Sequence, residues 1–454
     1  MTCLMATWLP GPIALNAATI TWDASGTLGT HDGSGTWADG GSFWDLAGVT
    51  TPWANANPDN ALIGFGDGAA GTITLGSNIT LGTLTFNTAG SGNYIIAGGG
   101  NSLTINGGVT ANDSASITAA TILGASQSWT TATGKFLTVT GNINNAGNTL
   151  TITGAGDTTL SSGVLSGSGG LTKSLGGTLT LAGANTYSGL TSLNGGIVKI
   201  SAANNLGDGS VTNTISFNGG TLQSTGGTYS LGVNRAVALA GAGTIQVDAG
   251  ALTVDGIVSG TGGLTASGAA GTLILSGVNT FTGGLNINGG SVVQLGNAAA
   301  LKAPTAPSDA QNRWFGLLAA VPVSGQNAVT FGSGSTGKLS LKGFNASIAG
   351  LSTNATTPGS AVVENASATA STLTINQAIG TNSTFAGVIQ DGTGGGALSL
   401  LKVGDGTLTL TNALNAYTGQ TIINQGTVTI TNNGALGTAT STVAVNGIAG
   451  PGFV

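Results

Sequence analysis

The sequence predicts an all-β chain wound as a β-solenoid. Three observations carry that prediction: short alternating strands, turn residues after nearly every strand, and internal copies of one unit. The alternation is clear in Thr72-Ile73-Thr74-Leu75, Thr83-Leu84-Thr85-Phe86, Leu103-Thr104-Ile105, Leu150-Thr151-Ile152 and Leu373-Thr374-Ile375. Thr on one side and Leu or Ile on the other is the period-two pattern of a half-buried strand. β-branched Thr suits the outer, pleated surface. The turns are Asn106-Gly107-Gly108, Asn194-Gly195-Gly196, Asn218-Gly219-Gly220 and Asn288-Gly289-Gly290. Asn and Gly adopt the positive φ angles that sharp corners need.

Three segments repeat the same four blocks at matched spacing. The first has Gly170-Leu171-Thr172, Gly177-Thr178-Leu179-Thr180-Leu181, Asn185-Thr186-Tyr187-Ser188-Gly189 and Asn194-Gly195-Gly196-Ile197-Val198. The second has Gly263-Leu264-Thr265, Gly271-Thr272-Leu273-Ile274-Leu275, Asn279-Thr280-Phe281-Thr282-Gly283 and Asn288-Gly289-Gly290-Ser291-Val292. The third has Gly406-Thr407-Leu408-Thr409-Leu410, Asn415-Ala416-Tyr417-Thr418-Gly419 and Asn424-Gln425-Gly426-Thr427-Val428, with one extra residue before its Asn. A unit of short strands cannot bury its apolar edge alone, and stacking lets Leu179, Leu181 and their equivalents line one interior. With rungs ~4.8 Å apart and about 15 to 20 of them, the rod would be roughly 70 to 100 Å long. The runner-up is an antiparallel β-sandwich, because Asn-Gly is also a hairpin signal. Recurrence of whole units favours the solenoid.

These blocks resemble the autotransporter-associated β-strand repeat of bacterial surface-protein passenger regions. The strong resemblance covers the three copies, about a quarter of the chain. A looser one extends to Thr21-Trp22-Asp23 with Trp37, Trp44 and Trp53, similar to the Trp-rich start of many passengers. The lead-ins Gly256 to Gly262 and Gly387-Val388-Ile389 also resemble that family. The resemblance implies a right-handed parallel β-helix displayed outside the cell, associated with the outer membrane. It also implies a role as an adhesive stalk.

The expected organisation follows. Residues 1–18 form a partial signal segment: Leu4 to Leu9 is apolar and Asn16-Ala17-Ala18 ends it, but Pro10 and Pro12 interrupt it and no basic n-region precedes it. Residues 19–65 form a Trp-rich cap, and 66–301 a solenoid with two repeats. Residues 302–325 form an irregular insertion containing Pro304, Pro307, Trp314 and Pro322. The solenoid resumes over 326–454 with the third repeat, and the end at Pro451 to Val454 reads as a truncation. A cap covers the first rung against edge-to-edge pairing.

Composition narrows the function. Gly occurs 82 times in 454 residues and Pro only 9 times, without a Gly-X-Y period, so collagen and Pro-rich linkers are excluded. Hydrophobic residues make up 40% and charged ones 5%, which is not the charged, apolar-poor balance of a disordered chain. A net charge of -6 with scattered Lys and Arg leaves no basic stripe for nucleic acid. The single cysteine, Cys3, excludes an internal disulfide and zinc clusters. No run of 18 apolar residues spans a membrane.

Candidate chemistry is sparse. His31, the only histidine, could pair with Asp32 or Asp39, but no Gly-x-Ser-x-Gly surrounds it, and a solvent-exposed loop histidine is expected. Glycoside hydrolysis needs two carboxylates about 5 to 10 Å apart. Asp248 and Asp255 with Arg235, or Asp391 and Asp405, show no paired pattern. The triplets Gly66-Asp67-Gly68, Gly207-Asp208-Gly209 and Gly404-Asp405-Gly406 are isolated, so turns are expected rather than calcium sites. Repeat-structural roles are expected instead: Leu179, Leu181, Leu273, Leu275, Leu408 and Leu410 inside, and Asn185, Asn279 and Asn415 on turn backbone. Tyr187, Phe281 and Tyr417 would pack at a corner, with Gly189, Gly283 and Gly419 beside them. No catalytic residue, metal or cofactor is expected. The resemblance implies partners among host, matrix or cell-surface glycans or other surface proteins. A polysaccharide-binding or polysaccharide-processing β-helix is the alternative, with Trp37, Trp44 and Trp53 as its sugar platform.

Overall fold

The computed structural model describes residues 17–26, 29–301, 326–438 and 440–446. The expected signal segment, apart from its last two residues, and the expected insertion 302–325 lie outside these residues. The chain forms a parallel β-solenoid of about 16 turns. Among the described residues, every strand pairing is parallel except the two around an N-terminal hairpin. An antiparallel sandwich is thereby excluded. The Asn-Gly turns are solenoid corners, as at Asn194-Gly195-Gly196, where Gly196 has φ 62° and joins Leu193 to Ile197.

Each coil has three faces. Face I runs through Gln127–Thr131, Leu150–Gly154, Leu171–Lys173, Thr191–Leu193, Ile215–Phe217 and Val237–Leu239. Face II runs through Phe136–Val139, Asp157–Leu160, Thr178–Leu181, Ile197–Ile200 and Thr221–Ser224. Face III contains Tyr229–Ser230, Ala251–Val254 and Thr272–Leu275. Strand Ser102–Ala111 turns a corner near Gly107-Gly108, pairing with Ala120–Leu123 on one face and Gln127–Thr131 on the next. Alternation decides which residues enter the core. In Thr178–Leu181 the two Thr side chains face out while Leu179 and Leu181 are buried. The register stacks Val198 on Leu179, Leu222 on Val198 and Ile245 on Leu222, so one aliphatic file runs up the interior. Burying each such side chain contributes roughly 1.5 to 3 kcal/mol.

The copies do not all start on the same face. Leu171–Lys173 of the first copy lies on face I, whereas Leu264–Ser267 of the second pairs with Gly243–Val247 on face II. The third returns to face I. That face continues through Thr280, whose amide meets Val258 O, to Ala346–Ile348, Ser371–Asn376 and Leu398–Val403.

The register of the strands before residue 302 also continues in those after residue 325. Leu285 pairs with Val329 and Val292 with Lys338, just as Leu264 pairs with Leu285 one coil earlier.

At the N-terminal end, Thr19–Trp22 pairs in parallel with Asn60–Ile63 and antiparallel with Trp44–Leu46. The latter forms a hairpin with Val49–Thr51. Its two-residue turn is Ala47-Gly48, both at positive φ, as a tight hairpin requires.

Candidate functional site

The repeat residues converge on the corners, where they tie neighbouring coils together. Asn185 Oδ1 accepts from Leu165 N at 2.8 Å in the coil before, and its Nδ2 donates to Asn205 O at 2.6 Å in the coil after. Asn279 does the same with Val258 N at 2.8 Å and Ala300 O at 2.7 Å. Asn415 does so with Ile389 N at 2.8 Å and Ala435 O at 2.7 Å. Each buried amide therefore satisfies a donor and an acceptor that the corner would otherwise leave unpaired. Only a side chain with a carbonyl and an NH₂ on one planar head can do both.

Tyr187, Phe281 and Tyr417 are fully buried, as are Leu273, Leu275, Leu408 and Leu410. Tyr187 Oη bonds Thr191 Oγ1 at 2.7 Å, and Tyr417 Oη bonds Thr421 Oγ1 at 2.6 Å. In the second copy both partners are apolar, Phe281 and Leu285. The hydroxyl pair is replaced as a pair, so no buried hydroxyl is orphaned. Gly189, Gly283 and Gly419 lie against the preceding coil, where a Cβ would strike the backbone of Gly169, Gly262 and Leu398 respectively.

The buried lysines escaped sequence reasoning. Lys173 and Lys402 are at most 1% exposed, at equivalent places in copies one and three, and Ala266 stands there in the second. Lys402 Nζ donates to Val403 O at 2.9 Å, Gly404 O at 2.6 Å and Gln425 O at 3.4 Å. Lys173 Nζ is held by Ser174 O at 2.9 Å, Leu175 O at 3.3 Å and Gly176 O. Burial pushes Lys402 down to about 8, opposed by the nearby Asp405 charge, and lowers Lys173 as well. Arg235 is also buried, with its guanidinium on Asn213 Oδ1 at 2.8 Å and Leu231 O at 3.0 Å.

His31 corrects an expectation. Its ring is not free in solvent: Nδ1 meets Asp67 Oδ2 at 2.8 Å, Nε2 lies 3.5 Å from Asp45 Oδ2, and the ring stacks on Phe65 at 4.2 Å. The next coil brings Asp67 to the His31 loop, a pairing across 36 residues. The clasp is reciprocal. Asp32 accepts from the amides of Phe65, Gly66, Asp67 and Gly68 and from Tyr94 Oη, while Asp67 accepts from the amides of His31 and Asp32. The hydrogen bond to Asp67 raises the His31 pKa. Desolvation pushes the Asp67 carboxyl up, but the Asp32 and His31 amides and the His31 ring outweigh it and hold it at about 2. With both carboxylates committed to amides, the Gly66-Asp67-Gly68 triplet is a structural turn.

The remaining candidates are dispersed. Asp248 accepts from Gln223 and Gln246 at the corner after face II, and Asp255 accepts from Ser230 after face III, while Arg235 points inward. Asp391 accepts from Leu398 N and Thr418, and Asp405 from Gln425. Trp22, Trp37, Trp44 and Trp53 are at most 1% exposed and pack edge to face or tilted, with ring centroids 4.8 to 5.3 Å apart. Enclosed rings offer no platform for a sugar. Among the described residues, no group of three or more His, Cys, Asp or Glu could hold a metal ion, and no helix is long and apolar enough to cross a membrane.

Fold and corners together define a repeat protein whose polar groups serve the winding of the chain itself. Residues 171–200, 264–293 and 400–430 match the passenger-associated-transport-repeat, so the three copies carry the autotransporter-type repeat that their blocks resemble. The Adhesin BmaC autotransporter of Brucella suis biovar 1 (strain 1330) is 33% identical over 260 residues, covering 54% of this chain. The aligned stretch is 6% of that protein, so this chain corresponds to a small part of its relative's length. No solved structure matches the chain.

Proposed function

We propose that this chain is a length of the extracellular passenger of an autotransporter-type surface protein, acting as a non-enzymatic adhesive stalk. The observation that carries this reading is the inward use of chemistry. The repeat asparagines are spent on backbone groups of neighbouring coils, and Lys173, Lys402 and Arg235 on carbonyls of their own corners. Such a rod transmits and displays rather than transforms. The repeat matches and the relative named as an adhesin support the surface location and the adhesive role. Its partners would be host, matrix or cell-surface glycans or other surface proteins. The separation of Asp248, Asp255 and Arg235 argues against the polysaccharide-processing alternative. The test uses beads coated with the whole chain and presented to cultured cells and to purified matrix proteins. Retention above beads coated with a heat-unfolded chain is expected; equal retention would overturn the adhesive role.

A further inference from the structure

The Asn-Gly steps of this chain are chemically unequal. Five lie wholly among the described residues: Asn106-Gly107, Asn194-Gly195, Asn218-Gly219, Asn288-Gly289 and Asn433-Gly434. Glycine after asparagine leaves the peptide nitrogen unshielded, because no Cβ stands beside it. That nitrogen can reach the asparagine side-chain carbonyl, provided that neither group is held elsewhere. The fold restrains three of the five. Asn106, Asn218 and Asn288 lay their carboxamides against a glycine of the next coil, Gly124, Gly241 and Gly332, where a Cβ would strike the side-chain oxygen. Gly219 N also donates to Ala242 O at 2.7 Å, and Gly107 lies inside the strand Ser102–Ala111.

Asn194 and Asn433 are under neither restraint. Both are exposed. Among the described residues, no hydrogen bond uses either carboxamide, or the amide of Gly195 or Gly434. The main chain at Asn194 is nonetheless fixed, since its own N–H donates to Lys173 O at 2.8 Å. Asn433 opens the short 3-10 turn Asn433–Leu436, and the first amides of such a turn have no partner within it.

We propose that Asn194 and Asn433 are sites of spontaneous deamidation, at which the folded rod converts asparagine to isoaspartate or aspartate. The Gly195 nitrogen gives up its proton to solvent and attacks the side-chain carbonyl carbon of Asn194. The new C–N bond closes a succinimide, and the bond to the side-chain NH₂ breaks as ammonia leaves with a proton. Water then opens the ring at either carbonyl, so water is the one co-reactant. Asn433 and Gly434 react in the same way. Each conversion adds one negative charge to a chain whose net charge is -6. At Asn194 that charge has a particular place. Gly195 and Gly196 rest on Leu175 and Gly176, whose carbonyls hold the Lys173 ammonium. A carboxylate would therefore arise on the coil above a buried cation, whereas the third copy carries Asp405 beside the corner of Lys402 from the outset.

The test is incubation of the whole folded chain in mildly alkaline buffer, then unfolding, tryptic digestion in heavy-oxygen water and mass spectrometry. Heavy oxygen labels any conversion that occurs during digestion. Cleavage at Lys173, Lys199, Arg235, Lys302 and Lys402 places Asn194, Asn218, Asn288 and Asn433 in separate peptides, and fragmentation locates the change within each. Asn194 and Asn433 should convert about fivefold faster or more than Asn218, whose neighbouring amide must first release Ala242. In urea the rates should draw together, because unfolding frees every step alike. Asn194→Gln should remove the change from its peptide, since Asn185 in the same peptide is buried and bonded at both ends. Conversion of Asn194 or Asn433 no faster than that of Asn218 in the folded chain would overturn the inference. So would a spread of rates that persists in urea, or a change that survives Asn194→Gln. None of these outcomes bears on the adhesive reading, which is tested separately on coated beads.

Discussion

Tyr187 and Thr191 share a hydrogen bond at a buried corner, and the same corner in the second copy holds Phe281 and Leu285. A buried hydroxyl without a partner costs about 1 to 3 kcal/mol, whereas replacing both partners by apolar groups is nearly neutral. Thr191→Val should therefore destabilise the chain by about 1 to 2 kcal/mol, and Tyr187→Phe/Thr191→Val should recover most of that loss. Urea unfolding of the two variants measures the coupling; additive losses would contradict it. Lys402 makes a second prediction. Its folded pKa is about 8 against an ordinary 10.5, so between these values the unfolded chain holds more protons than the folded one. Stability should rise with pH across that window and be weakest below it. Thermal melts from pH 7 to 10 should show a rise that shrinks in Lys402→Met and vanishes in Lys173→Met/Lys402→Met.

At the level of elements, the hairpin Trp44–Leu46 with Val49–Thr51 is joined to the first coils by buried indoles and by the His31 clasp. The raised pKa of His31 means that the charged ring stabilises the folded end at pH values below its ordinary 6.5. That contribution is lost as pH rises through the higher folded value. Asp67 acts with the opposite sign: its contribution is present above the ordinary carboxyl value of 3.8 and disappears as pH falls toward about 2. Amide exchange in the hairpin should thus be slowest, once corrected for intrinsic rates, between about pH 4 and 6. His31→Gln should abolish the loss of protection on the alkaline side.

These elements also show what the sequence could reveal. Strand Thr72–Leu75 was readable to the residue, because alternation and flanking Gly are local signals. The Asn, Tyr and Gly positions of the copies were readable because repetition marks them. Lys173 and Lys402 carried a signal that charge alone concealed. Each lies two residues after an inward Leu, Leu171 or Leu400, and so in the buried phase of its strand. The partnership of His31 with Asp67 was not readable, since it depends on coil register across a loop that no periodicity describes.

For the molecule as a whole, the continuity of pairing from Leu285 to Val329 and from Val292 to Lys338 predicts that residues 302–325 can be shortened without loss of winding. Replacing them with a short Gly/Ser loop should shift the melting temperature by no more than a few degrees and leave the β-sheet circular dichroism signal intact. A loss of cooperative unfolding would show that the excursion contributes to the rod.

The start of the second copy one face further round than the first has a bearing on how such rods lengthen. If a full coil were the inherited piece, duplicated units would always return to the same side. The displaced copy shows that the same blocks fit when they begin on either of two faces, so the unit that the winding accepts is a strand with its corner, a third of a coil. Gaining or losing one such piece rotates everything beyond it by a face while each strand still finds a parallel neighbour. A shift of one such piece therefore re-aims whatever the rod displays beyond it, while the asparagine ties between coils are kept.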